Sequence, residues 1–211
     1  MKTLILTSAG TDIKEEIIKV LPRDPSGMKL AHIITASKTE PNKKYVEKDH
    51  QNFEAMGFIV KDIDIEGCTE IELTNILDGF DVICVQGGNT FHLLKAAKES
   101  GFEKVVKRLI ENDVIYIGVS AGSIICGPSI ETSKWKGTWP DKNNVGLKNL
   151  NGFAWIPFNL FVHYEQRWEA AVKKEMASSK FATRILTDNQ AFLIRNGKVE
   201  LIGDSPEIVL K

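Results

Sequence analysis

The stretch from Val114 to Pro128 reads V-I-Y-I-G-V-S-A-G-S-I-I-C-G-P. Val114, Ile115, Tyr116 and Ile117 form a short β-branched and aromatic run of the kind that makes a strand buried on both faces. It meets Gly118-Val119-Ser120-Ala121-Gly122, after which Ser123, Ile124 and Ile125 can continue as the first turn of a helix. A turn that sharp is strained, and small residues around the serine let the backbone fold tightly enough to push the hydroxyl out of it. The backbone N–H groups that follow, starting with Ala121, then point at whatever binds beside the hydroxyl. This context makes Ser120 a candidate nucleophile; a glycine-rich turn with a capping serine is the plainer alternative.

Working outward, Asp81 to Gln86 (D-V-I-C-V-Q) is a second fully buried strand that runs into Gly87-Gly88-Asn89-Thr90 and a helix over Phe91 to Ser100. Upstream, strands at Leu4–Thr7, Lys29–Thr35 and Phe58–Ile65 alternate with helices at Asp12–Val20, Pro41–Met56 and Glu70–Leu77, and a helix at Phe102–Asn112 leads to the serine strand. Repeated strand, turn and helix implies an α/β three-layer sandwich: a mostly parallel sheet with right-handed crossovers and helices on both faces. In such sheets ligands bind beyond the carboxyl ends of the strands, so both glycine-rich turns can face one site.

From Glu131 to Asn151 the pattern breaks down into polar residues, Trp135, Gly137, Trp139, Pro140 and Gly146 without a period. A loop that long in a compact domain is usually functional, and a flap over the site is expected; a disordered insertion is the alternative. Ala154 to Tyr164 reads as a strand ending near His163, and Gln166 to Ser178 as a helix. Short strands at Arg184–Asp188, Ala191–Arg195, Lys198–Ile202 and Glu207–Leu210, with a hairpin turn at Asn196-Gly197, form a small antiparallel addition at the carboxyl terminus.

The 211 residues, 43% hydrophobic and 26% charged, fit a single domain over 1–211 with a well-formed core. Its 27 basic and 28 acidic residues are mixed along the chain, which argues against nucleic-acid and membrane-surface partners. Cys68, Cys84 and Cys126 are odd in number and far apart, as reduced thiols in a cytoplasmic protein would be. No signal peptide or membrane-spanning stretch is read from the sequence, and a homodimer is left open.

A serine hydroxyl needs a base to take its proton, and the base needs a third group to fix its tautomer. Of the four histidines, His32 sits mid-strand, His50 lies on a charged helix, and His92 lies in the first turn after Gly87-Gly88-Asn89. His163, at a strand end beside the expected flap, is the base by elimination. For the acid, Asp188 at a strand end stands first, then Asp141 in the long loop, then Glu165 two residues past His163. Gly87-Gly88-Asn89 is a candidate for the other half of an oxyanion hole, because glycine lets backbone N–H groups approach closely. No G-x-G-x-x-G, P-loop lysine or H-E-x-x-H is present, so neither a cofactor nor a metal is expected.

Taken together these residues resemble the dipeptidase E and cyanophycinase family of serine peptidases, which share the class I glutamine amidotransferase-like, flavodoxin-type sandwich. The resemblance is carried by Gln86-Gly87-Gly88-Asn89-Thr90-Phe91-His92-Leu93-Leu94, by Gly118-Val119-Ser120-Ala121-Gly122-Ser123 through Gly127-Pro128, and by His163 followed by an aromatic residue. It implies a Ser120 nucleophile, a His163 base, an oxyanion hole from Gly88 and Ala121, and Asn89 as a nearby substrate contact. In the aspartyl dipeptidase branch an arginine after the G-P pair meets the substrate, with an aspartate of the triad soon afterwards. Here those positions fall on Glu131 and Trp135, so Glu131 becomes the expected substrate contact, favouring a basic or neutral residue over aspartate. In the cyanophycinase branch the acid is a glutamate that lines up with Asp188. The activity implied is hydrolysis of small peptides. A carboxylesterase or amidase of α/β-hydrolase type, with Ser120, Asp141 and His163 in that order, and a non-catalytic binding protein on the same sandwich are the competing readings.

Overall fold

The computed structural model describes residues 2–210. Five strands rich in β-branched residues form its parallel centre: β1 (Thr3–Thr7), β2 (Lys29–Ile33), β3 (Ile59–Ile63), β4 (Val82–Val85) and β5 (Ile115–Val119). Every residue of β1, β4 and β5 is buried, as expected of strands covered on both faces. Two further strands, β8 (Gln190–Arg195) and β9 (Lys198–Gly203), extend the sheet antiparallel beside β1. The order across the seven strands is β3-β2-β4-β5-β1-β8-β9.

Alternation along the strands divides the core into two layers. On one face Ile5, Leu30, Cys84 and Ile117 pack with Ile17 of α1 (Lys14–Val20) and Phe53 of α2 (Lys44–Ala55). On the other, Leu6, Ile33, Val85 and Tyr116 pack with α3 (Glu70–Leu77), α4 (Thr90–Glu99), α5 (Phe102–Glu111) and the short α6 (Ala121–Ile124). The helix α3 begins at a capping box, Thr69 and Glu72 bonding each other's backbone N–H groups. Helices lie on both faces of a mostly parallel sheet: the structure is the expected three-layer sandwich.

The carboxyl-terminal third differs in detail from the sequence reading. The expected strand Ala154–Tyr164 shrinks to β6 (Asn159–Phe161). Ala154 has a positive φ of 51°, Pro157 offers no N–H for a ladder, and the N–H groups of Phe153, Ala154 and Trp155 bond the carbonyls of Ile125, Gly127 and Cys126 instead of a neighbouring strand. β6 pairs in parallel with β7 (Thr183–Ile185) as a separate two-stranded sheet. The antiparallel addition therefore consists of β8 and β9 alone, turned at Asn196 and Gly197, both with positive φ. Glu207–Leu210 forms no strand: Glu207 pairs with Arg184, and Ile208 and Leu210 pack on a small third core of Trp135, Phe161, Tyr164, Val172 and Ile185 under α7 (Glu169–Ser178). Among the described residues no helix is long and apolar enough to cross a membrane.

Candidate active site

Register brings the sequence candidates to one edge of the sheet. Thr7 pairs with Val119 across β1 and β5 and with Ala191 across β1 and β8, while Val85 pairs with Gly118. Residues just past β1, β4 and β5 therefore meet there. Because β8 runs the opposite way, the residues just before it meet there too. Ser8, Gly87-Gly88, Ser120 and Asp188 are these residues. The small β6–β7 sheet supplies the remaining one: Phe161 pairs with Ile185, and the Tyr164 N–H bonds the Leu186 carbonyl, which sets His163 beside the chain leading to Asp188.

Ser120 has φ 47° and ψ −108°, a conformation that costs a non-glycine residue on the order of 1–3 kcal/mol. The sharp turn needs its glycines: a Cβ on Gly122 would collide with the Val85 carbonyl, and one on Gly118 would lie 2.8 Å from the Gly122 oxygen. The turn projects Ser120 Oγ to 2.9 Å from His163 Nε2. On the other side of the ring, His163 Nδ1 lies 2.6 Å from Asp188 Oδ1. The hydrogen bond to His163 holds the Asp188 carboxyl below the usual carboxylate range, against partial burial and with help from the Ser8 hydroxyl. An ionised Asp188 accepts the Nδ1 proton, which leaves Nε2 as the acceptor facing the serine.

Ala121 follows Ser120 directly and Gly88 lies in the turn packed against it, and neither backbone N–H has an acceptor among the described residues. Gly88 sits at φ 134°, where a side chain would strike the Ala36 carbonyl. Gly87 packs against the serine, so the two glycine-rich turns touch: a Cβ at Gly87 would lie 3.0 Å from Ser120 Cβ. Together they wall a cavity of about 460 Å³.

A model of peptidase family S51 matches residues 4–202. The chain belongs to this family.

Curated relatives cover most of its length. An uncharacterized peptidase of Listeria monocytogenes is 29% identical over 202 residues, 94% of this chain and 97% of that protein. Peptidase E of a Nostoc species is 28% identical over 170 residues, 77% of this chain and 66% of that one. A crystal structure of a candidate peptidase E from Listeria monocytogenes, 29% identical, superposes with a TM-score of 0.86 over 97% of this chain and 100% of that one. The chain is thus a peptidase with the fold of that structure.

Other sequence candidates are placed differently. Glu131, expected at the substrate, is turned from the cavity: its Oε1 accepts from Asn159 Nδ2 at 2.9 Å and from Ser179 Oγ at 2.5 Å. Asn89 caps α4, its Oδ1 accepting the His92 N–H, and its Nδ2 donates to the Lys142 carbonyl. Asp141 accepts the Thr90 N–H at 2.8 Å rather than bonding His163, and burial raises its carboxyl. These two contacts tie the Glu131–Asn151 loop down beside the cavity, whose wall includes Thr138, Trp139 and Asp141. Glu165 pairs with Arg167 at 2.6 Å. His92, in the first turn of α4, is buried, with Nε2 3.7 Å from Glu66.

Ser8, in the turn just past β1, touches both His163 and Asp188. Its hydroxyl donates to Asp188 Oδ1 at 2.8 Å and accepts the His163 N–H at 2.7 Å. That second bond holds His163 at φ 55°, a conformation unfavourable for a residue with a side chain. Ser8→Ala is expected to lower kcat about tenfold with little change in KM, since the ring and carboxylate lose their shared anchor but neither is removed. Steady-state kinetics on any cleaved peptide checks this.

Proposed function

We propose that the chain is a serine peptidase hydrolysing short peptides, with the 2.9 Å approach of His163 Nε2 to Ser120 Oγ as the observation that carries the reading. Ser120 Oγ attacks the scissile carbonyl carbon while its proton passes to His163 Nε2. Asp188 stabilises the imidazolium, and the N–H groups of Gly88 and Ala121 hold the oxyanion. The intermediate collapses as His163 gives the proton to the leaving amine. A water then repeats the sequence, with His163 as base, to release the acid and restore Ser120.

The cavity wall also bears on the substrate. Asp12, Glu40, Asp49, Asp141 and Glu165 line it with Asp188, against Lys48, which is itself paired with Asp12. Near the oxyanion turn Tyr45 has its hydroxyl raised to about 12 by burial and by the charges of Glu40, Asp141 and Asp49. A pocket so charged disfavours an aspartyl side chain and suits a neutral or basic one. Two charges at 4 Å interact by ~1 kcal/mol in bulk water and ~4 kcal/mol near a protein surface. Peptides beginning with Ala or Lys are therefore expected to exceed Asp-initiated ones by about tenfold or more in kcat/KM.

The experiment is a library of dipeptides and tripeptides, with products identified by mass. Cleavage with that order of preference supports the reading. A preference for N-terminal aspartate overturns the charge argument, and no cleavage of any member overturns the small-peptide assignment.

A further inference from the structure

Behind the Gly87-Gly88 turn lies a second histidine–carboxylate pair that the reaction above does not use. His32 and Asp62 face each other in the β2–β3 register, with His32 Nδ1 2.9 Å from Asp62 Oδ1. The other ring nitrogen, Nε2, lies 3.2 Å from Gln86 Nε2. Gln86 is the residue before the turn; its Nε2 donates to Asp49 Oδ2 at 2.7 Å, and its Oε1 accepts the Gly87 N–H at 2.6 Å. His32 and Gln86 are wholly buried.

These contacts settle where the protons are. The Asp49 carboxylate already accepts from the Thr11 N–H and hydroxyl, so the amide nitrogen of Gln86 faces Asp49 and the amide oxygen faces the Gly87 N–H. The second hydrogen on Gln86 Nε2 then points at His32 Nε2, which must be the bare, accepting nitrogen. With Nε2 accepting, the ring's proton is on Nδ1, given to Asp62, and burial, which lowers the pKa of His32 against the pull of Asp62, favours this neutral form. The same proton speaks against a metal at His32, His50 and Asp62, three residues close enough together to suggest one. Freeing Nδ1 for a cation would move the proton to Nε2, into the amide hydrogens of Gln86.

We propose that Asp62, His32 and Gln86 form a positioning relay for the oxyanion site. Gln86 Oε1 engages the Gly87 N–H, and this fixes the peptide plane from which the chain turns through Gly88, leaving the Gly88 N–H without an acceptor among the described residues. His32 and Asp49 hold the amide in that orientation, and Asp62 fixes the tautomer that lets His32 do so. The inference rests on the proposed Ser120 reaction, because a relay for an oxyanion site has meaning only if an oxyanion forms there.

The test measures the rate at which a fluorophosphonate modifies Ser120, together with kcat and KM on a cleaved peptide and the melting temperature. Gln86→Met, of similar length but without either hydrogen bond, is expected to slow phosphonylation and kcat together by about 10–100-fold with KM changed less than about threefold, approaching the cost of losing one oxyanion donor. Asp62→Ala, at a half-exposed position, is expected to lose about 3–10-fold, whereas Asp62→Asn keeps an oxygen for the His32 proton and retains the parent rate within about twofold. Parent-like rates in folded Gln86→Met, or equal losses in Asp62→Ala and Asp62→Asn, overturn the relay. If Gln86→Met does not fold, the Asp62 pair decides. If the parent protein is cleanly folded yet unmodified at Ser120, the Ser120 reading fails first and the relay falls with it.

Discussion

Ser120→Ala is expected to lower kcat by about 10⁶-fold, to the level left by the oxyanion donors and substrate binding, without loss of thermal stability. The hydroxyl is the atom that forms the new bond to carbon, and no other nucleophilic side chain takes its place: Ser8 Oγ is committed to Asp188 and the His163 N–H, and Ser123 Oγ donates to the Thr7 carbonyl. Stability is spared because the strain at Ser120 belongs to its backbone, φ 47° and ψ −108°, which alanine must adopt as serine does. Ser120→Gly, equally inactive, is expected to raise the melting temperature by several degrees, since glycine removes strain on the order of 1–3 kcal/mol. Product release measured by mass and melting followed by calorimetry check the two halves. Turnover within about 100-fold of the parent in folded Ser120→Ala would remove the serine mechanism, and an unchanged melting temperature in Ser120→Gly would show that the turn is not strained.

How much was legible in the sequence follows from the range of the interactions involved. The turns at Gly87-Gly88 and Gly118–Gly122 are coded within a few residues, by buried strands that end in glycine, and both are found at the same edge. The Thr69–Glu72 capping box is local as well, and α3 has the expected limits. Glu131 misled because its direction depends on Asn159 and Ser179, which come from distant segments and turn its carboxylate away from the cavity. The apolar run Ala154–Tyr164 puts His163 near the end of a long strand, but it follows a three-residue strand at positive φ, and a hydrogen bond from its own N–H to Ser8 holds it there. Ser8 itself carried no signal. Its neighbours exist only once β8 has inserted antiparallel beside β1, a pairing that no periodicity in either segment announces. The same holds for Asp62, His32 and Gln86, which come together across β3, β2 and β4.

Asp188→Ala is expected to lower kcat by about 10⁴-fold, while Asp141→Ala changes it by less than about tenfold and acts mainly on KM. Both carboxylates line the same cavity, but their partners differ. Asp188 bonds His163 Nδ1 at 2.6 Å and stays ionised because that bond favours its charged form, so removing it frees the ring to take the other tautomer, with a proton on the nitrogen that must accept from Ser120. Asp141 bonds the Thr90 N–H, at the start of α4, and burial raises its carboxyl, so removing it loosens the loop that walls the cavity and leaves the imidazole as it was. Glu165, paired with Arg167, offers no third route to the ring. Kinetics on the two alanine variants therefore separate holding the base from holding the wall. Equal and mild losses would mean that Ser8 and the backbone at His163 orient the ring without a carboxylate. A large loss at Asp141 alone would move the acid to the loop, in the chain order of an α/β-hydrolase.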